Sequence, residues 1–184
     1  MKLVKLFVVV ACMMSMVACC NQKEEESKNQ TIETIMARRS IRKYKPDVVE
    51  YGKLKAIMEC GINAPNGQNK QSWEVRVVNN PEVMDYIKQV MIEAYDEKVV
   101  GCFRGVNYDF SAYDCGLMAE NMMLAAQSLG VGSICLGSPV RLINDNPACA
   151  PILKRLKISE GYELSLCVGL GYADETPEAK PRDK

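Results

Sequence analysis

Apolar residues recur at helical or strand spacing along most of the chain between Thr31 and Tyr172. Thr31 to Arg39 predicts a helix, with Thr31 placed to cap it and Ile32, Ile35 and Met36 on one face. Tyr44-Lys45-Pro46 breaks that pattern. Val49 to Ala64 predicts a second helix with a stripe of Leu54, Ile57, Met58, Gly61 and Ile62, stopped by Asn63-Ala64-Pro65-Asn66-Gly67. Trp73 to Val78 alternates as a strand does. Pro81 to about Val99 returns to helical spacing, with Pro81 suited to a first turn. Residues 100–110 read as irregular. Ser111 to Leu129 is the clearest helix, striped by Cys115, Met118, Met122, Ala125 and Leu129 and stopped by Gly130. Val131 to Leu136 predicts a short buried strand, Pro147 to Leu156 a short helix, and Glu163 to Tyr172 a strand with Leu164, Leu166, Val168 and Leu170 on one side. Residues 173–184 form a polar, Pro-rich tail. This order predicts an α+β domain with a small sheet between helices. A doubly wound parallel fold fits less well, because strand and helix do not alternate regularly and no phosphate-binding Gly loop follows a first strand.

The first 20 residues carry a different pattern. Lys2 and Lys5 precede an apolar run of 13 residues, Leu6 to Ala18, which is short for a membrane span. Met16-Val17-Ala18-Cys19 resembles a bacterial lipobox, whose Cys is acylated, and Val17-Ala18-Cys19-Cys20 is a competing frame. Residues 1–20 are therefore expected to be a lipoprotein signal peptide ending at Cys19 or Cys20, with an ordinary cleaved signal peptide as the other reading. Residues 21–30 are polar and rich in Glu and Lys, as a flexible tether is. The run Gln22-Lys23-Glu24-Glu25-Glu26 is either a solvated charge run or a surface-export signal like that of Bacteroidetes lipoproteins. The expected location is the cell envelope, at the outer membrane, with surface exposure if that run is an export signal. Residues 31–184 then form the one domain.

Charge narrows the function. The chain has 23 basic and 23 acidic residues, and setting aside Lys2 and Lys5 leaves 21 against 23. Nothing in that balance favours a nucleic-acid partner. Six of the nine cysteines lie beyond the leader, at 60, 102, 115, 135, 149 and 167, and none forms a CxxC pair. Most sit in apolar stretches, where Cys packs as a small hydrophobe, so free thiols and no metal site are expected. The chain has no histidine, which excludes His-based triads and most His-ligated metals.

Four segments carry candidate chemistry. In Arg38-Arg39-Ser40-Ile41-Arg42-Lys43-Tyr44, guanidinium forks and a hydroxyl match phosphate oxygens. A solvated basic helix end is the alternative. In Ala64-Pro65-Asn66-Gly67-Gln68-Asn69-Lys70-Gln71-Ser72-Trp73, amides that donate and accept crowd one turn, which suits the uracil-like edge of a flavin. A plain polar turn before a strand is the alternative. Leu129-Gly130-Val131-Gly132-Ser133 and Leu136-Gly137-Ser138-Pro139 place glycines around a strand, where backbone approaches closely. Finally, Lys180-Pro181-Arg182 would close a phosphate pocket if the tail folded back.

In this order and spacing the four segments resemble the FMN-dependent nitroreductase family over about residues 31–184. The resemblance implies an α+β, nitroreductase-like fold with a small, mostly antiparallel sheet flanked by helices. It implies a domain-swapped homodimer with residues for each FMN drawn from both chains. It also implies two-electron transfer from NADH or NADPH to flavin and on to a nitroaromatic, quinone or similar small-molecule acceptor. Carried over by position, Arg38, Arg39, Ser40 and Arg42 would hold the FMN phosphate and ribityl chain, with Lys180 and Arg182 completing the phosphate site. Pro65, Asn66 and Gly67 would lie against the isoalloxazine, Asn69 would bond its pyrimidine edge, and Leu136 and Gly137 would bring backbone near N5. No side chain is expected to be catalytic in its own right.

Two departures bear on specificity. Ser72 stands where the family pattern has Pro before Trp. The stretch from Tyr95 to Phe110 is short where longer members build substrate-covering helices. A flavin-binding or flavin-carrier lipoprotein without turnover is the alternative function. Cys135, beside the expected flavin contact, reads as a packed thiol rather than a redox one.

Overall fold

The computed structural model describes residues 29–91 and 98–181. The leader at 1–20 with Cys19 and Cys20, most of the 21–30 tether, and Arg182 lie outside the described residues. Contacts divide the chain between Glu33 and Thr34, inside the first helix. No described helix is long and apolar enough to cross a membrane.

Helix α1 (Gln30–Ala37) is capped by Asn29 rather than Thr31. The Asn29 Oδ1 accepts from the Thr31 amide at 2.9 Å and the Ile32 amide at 3.3 Å, satisfying donors that no helical carbonyl reaches. Its apolar stripe forms on schedule, yet Ile32, Ile35 and Met36 are 56%, 48% and 69% exposed. Spacing decides which side chains share a face, not what that face meets.

Helices α2 (Tyr51–Ile62) and α4 (Ser111–Ser128) pack on each other and α4 lies on the sheet. Leu54 and Ile57 meet Met118, Met122 and Ala126 there, with Val168 and Leu170 beneath. Ile62, expected on the α2 stripe, is 49% exposed. The buried positions are 54, 57 and 61, and a helix turns about 100° between Gly61 and its successor.

The sheet has four strands: β1 (Trp73–Val78), β2 (Lys98–Gly105), β3 (Gly132–Leu136) and β4 (Tyr162–Gly171). Their order is β1-β2-β4-β3, and every neighbouring pair is antiparallel. Strand β2 corrects the sequence reading, which carried a helix to about Val99 and left 100–110 irregular. Helix α3 (Pro81–Met91) ends at Met91. Lys98–Gly105 contains two glycines, which weaken any strand pattern, but it pairs on both sides, with β1 and β4. The ladder stabilises it where local propensity does not.

A second correction lies in β4. Leu166, Val168 and Leu170 face α2 and α4 as expected, but Leu164 joins Cys167, Ile143, Cys149 and Ile152 in a cluster on the opposite face. The register with β2 slips between Cys102 and Phe103, which pair with Leu166 and Leu164. One extra residue, Ser165, is thereby bulged out, and a bulge moves everything beyond it to the other face. Asn144 secures the spot: its Oδ1 accepts from the Leu164 amide at 3.0 Å and its Nδ2 donates to the Leu164 carbonyl at 2.8 Å. Asn144 belongs to α5 (Ser138–Asp145), a helix the pattern did not predict. Pro139 sits in the first turn, where its missing N–H costs nothing. The helix expected at 147–156 is a 3-10 turn, Pro147–Cys149, followed by α6 (Ala150–Arg155).

Gly171, at the end of β4, closes against Tyr44. A Cβ there would stand 2.5 Å from the Tyr44 Cδ1. Gly171→Ala is therefore expected to destabilise by about 1–3 kcal/mol, the usual cost of overpacking, measured as a lowered urea midpoint at unchanged slope.

Candidate functional site

The basic segment after α1 has no regular structure of its own and is held by two others. Ser40 forms a parallel bridge with Ser133 of β3, and the Ile41 amide donates to the Ser133 carbonyl at 3.0 Å. On its other side the tail folds back. Lys45 donates to the Tyr172 carbonyl at 2.8 Å, Asp174 donates to the Lys43 carbonyl at 2.9 Å, and Tyr44 bridges Ala173. The Glu175 carboxylate then accepts from the amides of Arg42 and, at 3.1 Å, Lys43.

This clasp produces a hollow of about 440 Å³ between the basic segment and residues 177–180, within the range of small-molecule sites. Arg38, Arg39, Ser40, Arg42 and Lys180 line it, with Glu178 the one acid among its lining residues. Four cations and a hydroxyl around one space match a dianionic phosphate. Their roles differ. The Arg39 Nη1 donates to the carbonyls of Met36 at 2.7 Å and Arg38 at 2.8 Å, so this guanidinium also serves the open end of α1. Arg38 is half-buried, and its charge reaches the Cys135 thiol of β3. The basic hollow and the end of β3 are therefore neighbours. Arg182 lies outside the described residues.

At the end of β3, Leu136 is half-buried and Gly137 exposed. Gly137 has an ordinary φ of −91°, and a Cβ there would meet only open space. In the neighbouring Leu129–Ser133 segment, Gly130 at φ +71° is there for the turn that ends α4. Cys135 is exposed rather than packed as expected; desolvation still raises its thiol, while Arg38 pulls it the other way. Cys167, buried behind it, is pushed up to about 12 by burial and then by Cys135. No disulfide joins Cys60, Cys115, Cys135, Cys149 or Cys167.

The amide turn is built differently. Gln68, Asn69 and Gln71 have φ of 55°, 54° and 46°, and such left-handed residues cost about 1–2 kcal/mol each when they carry a Cβ. The turn offsets this with its own side chains: the Gln71 amide donates to Asn66 Oδ1 at 3.0 Å and Gln71 Nε2 to Asn69 Oδ1 at 3.1 Å. Two outside residues also hold it. Gly67 N–H donates to Asp114 Oδ1 at 3.1 Å, and the Tyr108 hydroxyl donates to the Gly67 carbonyl at 3.2 Å. A Cβ on Gly67 would stand 2.1 Å from that hydroxyl. Pro65 is exposed, as is Asn69, while Asn66 and Gly67 are half-buried. Neither Tyr108 nor Asp114 lines the basic hollow. Within one chain the structure joins Arg38, Arg39, Ser40, Arg42 and Lys180, with β3 beside them. Pro65, Asn66, Gly67 and Asn69 stand on a separate footing. Asp114 and Tyr108 were missed in the sequence. An Asp four residues before Met118 on the buried stripe of a helix was the available signal.

Against that geometry the comparisons are specific. A family model described as "Nitroreductase family" matches residues 35–109 and 103–172. The chain belongs to the nitroreductase family. It is similar to an NADPH-flavin oxidoreductase of Vibrio harveyi, 29% identical over 84% of this chain and 70% of that one. A nitroreductase with bound FMN from Bacteroides fragilis superposes with a TM-score of 0.74 at 27% identity, over 85% of this chain and 95% of the other. One from Desulfitobacterium hafniense, also with bound FMN, gives 0.75 at 28%, over 84% and 95%.

The clasp sets a pH dependence. The Arg42 amide, and after it Lys43, hold the Glu175 carboxyl below its ordinary 4.5. A group whose pKa is lower folded than unfolded stabilises above the unfolded value and loses that contribution as pH falls through the folded one. Glu175→Ala is expected to lower the melting temperature at neutral pH. The gap to the native protein should close on acidification below the ordinary carboxylate range, as followed by thermal unfolding across pH.

Proposed function

We propose that the protein is an FMN-dependent oxidoreductase that takes two electrons from NADH or NADPH and delivers them to a small-molecule acceptor such as a nitroaromatic or quinone. The observation that carries this reading is the convergence of Arg38, Arg39, Ser40, Arg42 and Lys180 on one hollow, closed by the returning tail. The relatives named for FMN and for NADPH-flavin oxidoreduction support it.

The residues fit the cofactor. Arg38, Arg42, Ser40 and Lys180 would hold the phosphate, with Arg39 shared between the hollow and the end of α1, and Arg182 adding a further cation. The exposed amides of the 65–69 turn would meet the ring, and Leu136 and Gly137 would leave room beside it. When bound, FMN supplies the two-electron chemistry, so the lack of histidine is no obstacle. The protein binds and orients, and its cations favour negative charge on the site. Donor and acceptor would use one open face in turn, in a ping-pong order. The link from β2 to α4 is only Val106–Phe110, which supports an open face.

We further propose a homodimer in which the phosphate hollow of one chain meets the amide turn of its partner. Its support is the separate footing of the two half-sites and the apolar residues left on the surface: Ile35 and Met36 near the hollow, and Tyr113 and Leu117 on the outer face of α4. A helix apolar on both sides asks for cover on both. Acylation at Cys19 or Cys20 would tie the dimer to the cell envelope through the 21–30 tether.

A purified protein with a flavin absorbance spectrum, bleached rapidly by NADH or NADPH in stopped flow, is the expected result. A colourless protein that stays so when FMN is added would sink the proposal. FMN that binds but is not reduced would favour the carrier reading. Arg38→Ala removes a charge-assisted hydrogen bond worth roughly 1.5–3 kcal/mol, and FMN affinity is expected to fall about ten- to a hundredfold by titration.

A further inference from the structure

We infer that Asp114 is a positioning residue for the ring half-site: from the buried start of α4 it holds the Asn66–Gln71 turn in the shape that presents its amides. The inference rests on the flavin reading of that turn.

Asp114 is 3% exposed and lies among Cys115, Met118 and the other apolar residues of the α4 core face. A carboxylate is costly there unless something holds it. One oxygen has a defined task, accepting from Gly67 N–H at 3.1 Å. The other, Oδ2, is buried with no partner among the described residues, as is the Ser111 hydroxyl one turn earlier. The negative charge sits in the first turn of α4, where the helix dipole favours it.

Tyr108 works from the opposite side of the same peptide. Its hydroxyl donates to the Gly67 carbonyl at 3.2 Å, and the Lys70 ammonium lies 4.6 Å from its ring centroid. Burial, and then the Asp114 charge, push the phenol above its ordinary range, so it remains a donor at neutral pH. Gly67 is thus gripped at both its N–H and its carbonyl. Immediately after it come the left-handed Gln68 and Asn69, then Gln71. A turn with three such residues has relaxed alternatives nearby, and fixing its first peptide removes them. The amides of Asn66 and Asn69 point where the two grips set them.

Four probes separate positioning from general stability. In the protein without flavin, the Gly67 amide should be protected from hydrogen exchange. It should lose that protection in Asp114→Ala and regain it in Asp114→Asn, which keeps an acceptor at Oδ1. Asp114→Ala should weaken riboflavin and FMN by the same factor, about tenfold or more, while leaving the affinity for inorganic phosphate unchanged. Arg38→Ala should do the reverse, weakening FMN and phosphate but not riboflavin. Asp114→Asn should restore both flavin affinity and the vibronic shape of the bound flavin's visible band. If Asp114→Ala fails to fold, Tyr108→Phe removes the other grip and should cost three- to tenfold in riboflavin affinity. Equal loss of phosphate and flavin binding in either variant, or unchanged flavin affinity despite loss of Gly67 protection, would overturn the inference. A native protein that binds neither riboflavin nor FMN would overturn the flavin reading instead, and the Gly67 exchange measurement would still decide whether Asp114 holds the turn.

Discussion

The candidate site depends on a clasp between two stretches that have no regular structure of their own. The basic segment 38–45 and the tail 172–180 cross-bond through the Lys45–Tyr172 and Asp174–Lys43 main-chain pairs and through the Glu175 carboxylate on the Arg42 and Lys43 amides. Neither stretch is a helix or strand, so each must find partners for its peptide groups outside itself. Having found them in each other, and in Ser133 of β3, they bring Lys180 beside three guanidinium groups from the start of the domain. Without the backbone bonds, these like charges would drive the segments apart.

The two half-sites use opposite means. Around the hollow, charge would do the holding, each charge-assisted bond to a phosphate being worth about 1.5–3 kcal/mol. The amide turn relies on shape. Its three left-handed residues cost about 3–6 kcal/mol together. Six hydrogen bonds within and onto it return a comparable sum at about 1 kcal/mol each. The turn therefore sits near balance, and single contacts such as that from Asp114 carry weight out of proportion to their number.

What the sequence made legible follows the same division. Arg38, Arg39, Ser40 and Arg42 stood out as a basic cluster, and they line one hollow, because charge clusters survive reading one residue at a time; the crowded amides at 66–71 announced a turn for the same reason. Strand β2 escaped because its stability lies in ladders to β1 and β4, and its glycines hide any alternation. Leu164 was assigned to the wrong face because a bulge leaves no mark in a hydrophobic pattern. Helix α5 was passed over, although Pro139 in its first turn is a residue suited to a helix start. Asp114 was legible in principle, as an acid on the buried stripe of α4, but its partner is the backbone of Gly67, and no spacing rule links a helix to a main-chain N–H 47 residues away.

The exposed aromatics complete the physical picture. Tyr108, Phe110 and Tyr113 form a tilted series with centroids 6.0 and 6.2 Å apart, running from the amide turn onto the outer face of α4. Phe110 and Tyr113 are 59% and 71% exposed. Only five residues separate β2 from α4, too few to fold back over this surface. Whatever covers these rings must come from beyond the connection itself, and the apolar outer face of α4 continues in the same direction through Leu117. The turn and the uncovered face thus share one helix: Asp114 points inward to fix the turn, and Tyr113, one position earlier, points outward. A second chain seated on that face would meet the turn already set in its working shape.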